Sequence, residues 1–156
     1  MEFRKANIND LDKILEFIYA IAEYEKMTNQ VVASKESLKE WIFDKGIAEV
    51  SFVLEDNKEV GYAIYFYNFS TFEGRSGLYL EDIFVYPEYR GKGYGKGLFK
   101  HVLEIAVNRG CPRVEWCCLN WNKPSIDFYK SFNAKPMDEW TTYRLSGNAL
   151  KDALNK

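Results

Sequence analysis

The sequence is poor in the residues that bind metals or that form the disulfide bonds of small secreted domains. It has one histidine, His101, and three cysteines, Cys111, Cys117 and Cys118, which show no Cys-x-x-Cys spacing. A structural zinc site is therefore not expected, and we predict no metal. An odd number of unclustered cysteines is typical of reduced thiols in an intracellular protein. We expect a cytoplasmic location.

Long apolar runs and an excess of one charge are also lacking. No apolar run reaches the roughly 18 residues that span a membrane, and Met1–Lys5 lacks the apolar core of a signal peptide. The 21 basic and 23 acidic residues give a net charge of 21 − 23 = −2. We therefore expect neither a membrane partner nor a nucleic-acid partner.

No internal repeat, low-complexity tract or linker divides the chain. Its 156 residues, of which 47% are hydrophobic, predict a single globular domain over 1–156. The turn and periodicity signals predict strands at 2–5, 48–55, 59–69, 76–86 and 113–118. Residues Thr141–Leu145 are also strand-like, which predicts a final antiparallel pair.

Helical periodicity fills the segments between these strands. Asn9 or Asp10 is expected to cap the first helix. Its predicted apolar stripe consists of Leu11, Ile14, Leu15, Ile18, Ile21 and Ala22. A second helix is predicted to start at Ser34 and to bury Leu38, Trp41 and Ile42. Two more are predicted at 93–109, ended by Gly110, and from Pro124 to about 132. This order predicts an α/β fold with a mixed sheet flanked by helices.

The segment 85–95 carries the strongest functional signal. Its alternating glycines, Gly91, Gly93 and Gly95, precede a predicted helix. Glycines let backbone amides turn toward one point, and a helix start adds unpaired N–H donors and a positive dipole end. The pattern indicates a pocket for a phosphorylated ligand, most simply a diphosphate. The alternative is a glycine-rich turn that only caps the helix.

The spacing of these glycines does not fit the commoner phosphate loops. A Walker A loop needs Ser or Thr after Gly-Lys, whereas Lys96 is followed by Gly97. The dinucleotide fingerprint Gly-x-Gly-x-x-Gly fails because its last position falls on Lys96 or Leu98. The pattern that fits is Arg-x-x-Gly-x-Gly, beginning at Arg90.

Two acids interrupt the apolar strand Leu78–Val85. A continuous apolar run indicates a central, buried strand. A carboxylate in such a strand is costly unless it is hydrogen-bonded, ion-paired or part of a functional site. In a regular strand the neighbours Glu81 and Asp82 face opposite sides, so that one can serve structure while the other faces a cleft. The alternative is that both are bonded locally.

Two further segments carry candidate site residues. Asn122 lies near a helix start, with Ser125 and Tyr129 on one helical face, where the Tyr129 phenol could reach a ligand or be an ordinary core contact. Glu25 lies at the end of the first helix's apolar stripe, either at the rim of a pocket or on a frayed, solvated helix end.

Together these segments resemble the GNAT family of N-acetyltransferases. The Arg90–Gly95 pattern is similar to the coenzyme A pyrophosphate loop of that family. Segments Tyr79–Val85, Tyr89–Gly95 and Trp121–Lys130 are similar to the diamine (spermidine/spermine and thialysine) N-acetyltransferases, as is Tyr24-Glu25 before Met27. The resemblance covers nearly the whole chain and implies a GNAT-like, mostly antiparallel sheet. It also implies a homodimer and acetyl-CoA as the acetyl donor.

The resemblance also implies roles for individual residues. Tyr129 would protonate the leaving thiolate, and Glu81 would accept the amine proton, directly or through water. Tyr24, Glu25 and Glu81 would line the amine pocket. The residues implied to contact the cofactor are Ile83, Phe84, Val85, Arg90, Gly91, Lys92, Gly93, Tyr94, Gly95, Lys96, Asn122 and Ser125.

The implied activity is direct acetyl transfer, in a ternary complex, to a small primary amine such as a diamine, a polyamine or a lysine analogue. Segment 44–59 is shorter than in the animal diamine enzymes, and the acidic run near the C-terminus is reduced to Asp138-Glu139. Fewer carboxylates for distal ammonium groups argue against spermidine and leave lysine-like amines such as thialysine. The alternatives are a protein or peptide N-acetyltransferase, a non-catalytic acyl-CoA-binding regulator, and acyl transfer through Cys117 or Cys118.

Overall fold

The computed structural model describes residues 1–156, which cluster into two compact units, Met1–Cys117 and Cys118–Lys156. The first unit contains a five-stranded sheet in the order β1-β2-β3-β4-β5. Its strands are β1 (Glu2–Lys5), β2 (Glu49–Glu55), β3 (Lys58–Ser70), β4 (Arg75–Val85) and β5 (Val114–Glu115). All neighbours pair antiparallel except β4 and β5, which pair parallel. The predicted mixed, mostly antiparallel sheet is confirmed.

Helices cover both faces of this sheet. The first unit contains α1 (Leu11–Tyr24), α2 (Lys35–Leu38), which continues as a π-helix over Lys39–Asp44, and α3 (Tyr94–Asn108). On the α1 face, Phe17 stacks on Tyr62 with ring centroids 4.9 Å apart. This core consists of Ile14, Phe17, Leu38, Ile42, Val50, Phe52, Leu54, Tyr62 and Phe84. The predicted α1 stripe omitted Phe17, whose side chain is fully buried.

α3 lies on the opposite face of the sheet. A Cβ at Gly95 would lie 4.0 Å from the Val85 side chain, which points away from the face that holds its neighbour Phe84. Leu98, Phe99 and Val102 are buried on this side. The glycine loop therefore begins where β4 ends and leads directly into a helix packed beneath the sheet.

Two sequence predictions about helices need correction. Asp10 occupies the N-cap position of α1, one of the two predicted residues, but its side chain bonds no amide of that helix. Side-chain capping occurs one turn earlier, at Asn7, which caps the 3-10 turn Ile8–Asp10 that leads into α1. The Asn7 side chain accepts from the Asn9 amide at 2.9 Å, while Asp10 accepts from the Asn7 amide at 2.7 Å. In the second helix Leu38 and Ile42 are buried as predicted, but Trp41 is exposed, with the Lys45 ammonium 3.7 Å from its ring centroid.

The strands after α3 are shorter than predicted. β5 covers two residues instead of 113–118, and Thr141–Leu145 forms no strand. The second unit contains α4 (Lys123–Lys130) and α5 (Gly147–Asp152), so the predicted final antiparallel pair is wrong. A strand needs a partner edge, and Tyr143 remains 92% exposed because nothing in the chain covers it. No helix combines the length and the apolar character needed to cross a membrane.

Candidate active site

The glycine loop ends in a helix start whose first amides are unsatisfied. Gly91 has φ +76° and Gly93, at the N-cap of α3, has φ +90°, a region that favours glycine. No capping side chain accepts from the helix, and its first backbone bond runs from the Gly97 amide to the Gly93 carbonyl. The amides of Tyr94, Gly95 and Lys96 are therefore left with no protein acceptor. A Cβ at Gly91 would meet no atom within 4 Å, so the loop is open.

Arg90 braces this loop against the end of β4. Its Nε donates to the Val85 carbonyl at 2.9 Å. Its guanidinium carbon lies 4.9 Å from the ring centroid of Tyr24 and 5.2 Å from that of Phe84. The side chain therefore joins the loop, the strand end and the end of α1.

A β-bulge in β4 reverses the direction in which its backbone groups point. Ile64 of β3 pairs with Asp82 and Tyr65 pairs with Leu80, so Glu81 is the extra residue. Before the bulge, the Leu78 amide donates toward β5, to the Arg113 carbonyl at 3.1 Å. After it, the Tyr86 amide donates toward β3, to the Val60 carbonyl at 3.0 Å.

These directions leave an open edge on β4. β5 pairs with β4 only at Leu78 and Tyr79, so no strand pairs with β4 on that side from Leu80 onward. Because successive residues alternate, the backbone groups of Ile83 and Val85 point toward this open side. The Val85 carbonyl there is already bonded to Arg90, which leaves the two amides and the Ile83 carbonyl.

The same bulge brings the two strand acids onto one face. Tyr79 lies opposite Phe66 and Asp82 lies opposite Ile64, and these two β3 residues share a face. Glu81, two residues after Tyr79, shares that face as well. The expectation that Glu81 and Asp82 face opposite sides is therefore wrong, because it assumed a regular strand. The charges of both acids act on the buried Tyr62 hydroxyl.

Asp82 and Glu25 are carboxyls with raised pKa values. Burial raises the pKa of Asp82, and the 2.8 Å hydrogen bond from the Tyr62 hydroxyl offsets only part of this effect. Burial and the charge of Asp82 raise the pKa of Glu25, which follows α1 and is half-buried. A carboxyl on a frayed, solvated helix end would not have its pKa raised by burial. Glu25 therefore fits the alternative that places it at the rim of a pocket. Neither acid has an ion-pair partner.

The first unit thus brings several of the predicted site residues together. Tyr24 lies edge-on to Phe84, with ring centroids 6.5 Å apart, and beneath the Arg90 guanidinium. The end of α1, the bulged half of β4 and the start of the glycine loop therefore meet at one place. The lysines of the loop, Lys92 and Lys96, are exposed.

The second unit carries the remaining candidates on α4. Asn122 is buried, and its side chain caps this helix by accepting from the Ser125 amide at 3.4 Å. Pro124 lies in the first turn, as predicted for a residue without an N–H. Tyr129 is half-buried, and its ring centroid lies 5.3 Å from that of Phe128.

Sequence reasoning missed two residues that shape the site. Tyr62 was assigned only to a strand, although its hydroxyl is the sole hydrogen-bond donor to Asp82. Glu55, at the end of β2, accepts from the Tyr94 hydroxyl at 2.6 Å. The sequence identified Asp82 as a strand acid that needs a partner, but no local pattern marks Tyr62 as that partner or Glu55 as a partner of the glycine loop. No group of three His, Cys, Asp or Glu side chains in the structure is arranged to hold a metal ion.

Comparison with known proteins agrees with this geometry. The sequence profile of the Acetyltransferase (GNAT) family matches residues 12–134, which includes the α1, β4, glycine-loop and α4 segments. Thialysine N-epsilon-acetyltransferase of Bos taurus is 37% identical, over 98% of this chain and 96% of its own. Spermidine/spermine N(1)-acetyltransferase-like protein 1 of Homo sapiens is 28% identical, over 97% of this chain and 23% of its own.

A solved structure shows the same fold. An integron cassette protein from the mobile metagenome of V. cholerae superposes with a TM-score of 0.82 and 28% identity, covering 99% of this chain and 98% of that one. The family match spans most of the chain, and the full-length relative exceeds 30% identity. The chain therefore belongs to the GNAT family and is an N-acetyltransferase.

Proposed function

We propose that this enzyme transfers an acetyl group from acetyl-CoA directly to the primary amine of a small molecule. The acceptor class is a diamine, a polyamine or a lysine analogue such as thialysine. Support comes from the family membership and from the name of the thialysine N-epsilon-acetyltransferases, which match over nearly their full length. The spermidine/spermine acetyltransferase-like relative, matched over 23% of its own length, and the carboxylates beside the open edge of β4 add to this support.

The donor side is formed by the glycine loop and the edge of β4. The unsatisfied amides of Tyr94, Gly95 and Lys96 fit a diphosphate, because they add N–H donors to the positive end of α3. The open-edge amides of Ile83 and Val85 fit the amide-bearing pantetheine arm. We assign Asn122 and Ser125 to further contacts. Acetyl-CoA supplies the activated acyl group when it is bound.

The acceptor side is formed by Tyr24, Glu25, Glu81 and Asp82. Burial disfavours the charged forms of Glu25 and Asp82 in the free protein. A bound ammonium supplies the positive charge that these acids lack, which favours both ionised carboxylates and the protonated amine. Asp82 thus joins the pocket that the sequence assigned to the other three residues.

Proton transfer completes the chemistry. An alkylammonium cannot attack a thioester until it loses a proton, and Glu81, at the exposed bulge, accepts it directly or through water. Tyr129 donates its phenolic proton to the departing thiolate, whose pKa lies well above 7. The protein adds the positioning of the two reactants, which supplies up to roughly 7–11 kcal/mol in favourable cases.

One observation carries this proposal: the bulge at Glu81 turns two acids toward one face and two backbone amides toward the open edge. The test is thiol-release kinetics with acetyl-CoA against putrescine, spermidine, thialysine, free amino acids and lysine peptides. We expect turnover with at least one small amine. Turnover with peptides only would indicate a protein N-acetyltransferase, and cofactor binding without turnover would indicate a regulator.

We further propose that both compact units act as one N-acetyltransferase domain in a homodimer. The family match runs through both units, which supports the single domain. The second unit exposes large apolar side chains, including Trp140, Tyr143 and Leu154, which supports a partner surface. Light scattering tests the dimer. Three free cysteines support a reducing, cytoplasmic location, which fractionation of cells tests.

A further inference from the structure

A hydrogen bond ties the glycine loop to a distant strand end. The hydroxyl of Tyr94, the first residue of α3, donates to Oε1 of Glu55 at 2.6 Å. Glu55 is the last residue of β2 and lies 39 positions earlier in the chain. This contact therefore fixes the start of α3 against the sheet, on the side away from the open edge of β4.

A contact of this kind offsets part of the conformational entropy that the glycine-rich loop loses when it is ordered. Glycine loses more conformational freedom on ordering than any other residue, and two glycines of the loop adopt positive φ. Arg90 holds the loop at its first residue by its bond to the Val85 carbonyl. Glu55 holds the other end, where the unsatisfied amides begin.

The hairpin that carries Glu55 closes through a tight two-residue turn. The two-residue turn Asp56-Asn57 has φ +50° and +63°, and Glu55 pairs with Lys58 across it. Two positive φ values are the mark of the tight hairpin turn that matches strand twist. Lys58 also reaches the loop, since its ammonium donates to the Tyr89 hydroxyl at 3.3 Å.

A carboxylate near an anion site repels the ligand unless its charge is engaged. Glu55 is engaged twice, by Tyr94 and by the Lys92 ammonium at 3.5 Å. The Tyr94 bond is also the main reason that the pKa of Glu55 lies below its usual value, so the acid is ionised at neutral pH. The acid can thus act as a fixed acceptor on which the loop rests.

We propose that Glu55 is a positioning residue for the donor: through Tyr94 it presets the amides of the glycine loop for the diphosphate of coenzyme A. This inference rests on the proposed donor site. It separates Glu55 from the residues that touch the donor, and it predicts an effect on donor affinity without an effect on the amine or on the chemical step.

The test compares Glu55→Ala, Glu55→Gln, Tyr94→Phe and the double variant Glu55→Ala/Tyr94→Phe. Glu40→Ala is the matched control, because it removes a glutamate bonded to a lysine (Lys45, 2.6 Å) away from the loop. Measurements are calorimetry with coenzyme A, steady-state kinetics, and hydrogen exchange of loop 91–96 in the ligand-free protein.

We expect Glu55→Ala and Tyr94→Phe each to weaken coenzyme A binding and raise the acetyl-CoA KM about three- to tenfold, with kcat and the amine KM unchanged. The double variant should be no worse than either single one, because both break the same bond. Glu55→Gln keeps an acceptor for Tyr94 and should stay near wild type. Hydrogen exchange of the amides in loop 91–96 should be faster in Glu55→Ala and in Tyr94→Phe, and unchanged in Glu40→Ala.

Three results would overturn the inference. They are unchanged affinity and exchange in Tyr94→Phe, additive losses in the double variant, and a fall in kcat and melting temperature that accompanies the loss of affinity. Wild-type protein that binds no coenzyme A would instead overturn the donor site itself. The exchange data report on the Glu55–Tyr94 contact in either case.

Discussion

The Tyr62 hydroxyl donates a 2.8 Å hydrogen bond to the Asp82 carboxylate from a side chain that has no exposed surface. Tyr62 lies on β3 and Asp82 on the bulged half of β4, so the bond links the core to the acceptor pocket. It is the one interaction that lowers the pKa of Asp82 against the effect of burial. The acid is thereby held in place, yet remains short of positive charge.

Replacing Tyr62 with Phe should destabilise the protein by about 1–3 kcal/mol at neutral pH, because it leaves a buried carboxylate without its donor. The loss should shrink at acidic pH, where Asp82 is protonated. Urea unfolding at several pH values measures both effects. The control is Tyr65→Phe, since Tyr65 is equally buried but bonds the neutral Ser51 hydroxyl at 3.2 Å. A Tyr62→Phe loss no larger than the control's would contradict the prediction.

Replacing Asp82 with Asn should stabilise the free protein at pH 8 while weakening amine binding. The folded-state pKa of Asp82 is raised, so the folded chain holds its proton more tightly than the unfolded chain does. Stability is therefore lost as pH rises from the ordinary carboxyl pKa, about 4, through the raised one. Asn does not ionise, so the variant does not lose this stability. Its gain over wild type should be greatest at pH values above the raised pKa of Asp82 and absent below the ordinary carboxyl pKa.

Thermal melts of the Asp82→Asn variant from pH 4 to 8 measure this gain, which should be about 2–4 °C for each kcal/mol. Asp44→Asn is the matched control, because Asp44 is half-exposed and pairs with Lys39 at 2.9 Å. It should show no gain at high pH. A variant of Asp82 that melts below wild type at pH 8 would show that the ionised acid stabilises the fold.

Replacing Tyr129 with Phe should lower kcat by about 10²–10⁴-fold, the range of a lost general acid. Coenzyme A affinity should stay unchanged, since the ring and its packing against Phe128 are kept. Single-turnover kinetics and calorimetry separate the two quantities. Near-normal turnover would remove Tyr129 from the proton-donor role, whereas a loss of affinity alone would make it a binding residue.

Replacing Glu81 with Gln should lower the rate most at low pH. The wild-type carboxylate can accept a proton from a bound ammonium, whereas the variant depends on amine that is already deprotonated. The pH profile of kcat/KM should therefore become steeper on its acid side. Glu88→Gln, another exposed acid that follows β4, is the control. A Glu81→Gln profile with the height and shape of the wild type's would exclude a base role.

Replacing both Cys117 and Cys118 with Ser should leave kcat within about twofold of wild type, because direct transfer needs no thiol. Cys117 is exposed, and its sulfur lies 3.1 Å from the Tyr79 hydroxyl, a contact that a serine hydroxyl can keep. Initial rates over a range of both substrates should show intersecting lines. An inactive but folded variant with parallel lines would favour an acyl-cysteine route.

Local chemistry made much of this protein readable from sequence. The start of α3 after Gly93, its end before Gly110 and the position of Pro124 in the first turn of α4 all depend on residues within a few positions of one another. The same holds for the turn and periodicity signals that predicted β2 and β3 and for the continuous apolar run that predicted β4. The resemblance of the glycine loop to the GNAT pattern rested on such local features, and the family match confirms it.

Predictions failed where a distant partner decides the outcome. Trp41 has the right helical spacing for burial, but the π-helix turns it toward Lys45 and solvent. Thr141–Leu145 has strand propensity, yet no edge pairs with it. The roles of Tyr62 and Glu55 depend on Asp82 and Tyr94, which lie 20 and 39 residues away.

By itself, the sequence determined the glycine loop, the helix that follows it and the order of the strands, because backbone freedom and capping act over a few residues. Only the tertiary structure decided that Glu81 and Asp82 share a face and that the backbone groups of Ile83 and Val85 point toward the unpaired edge of β4. The physical reason is that a bulge is a mismatch in register between two strands. One strand's sequence does not contain its partner's register.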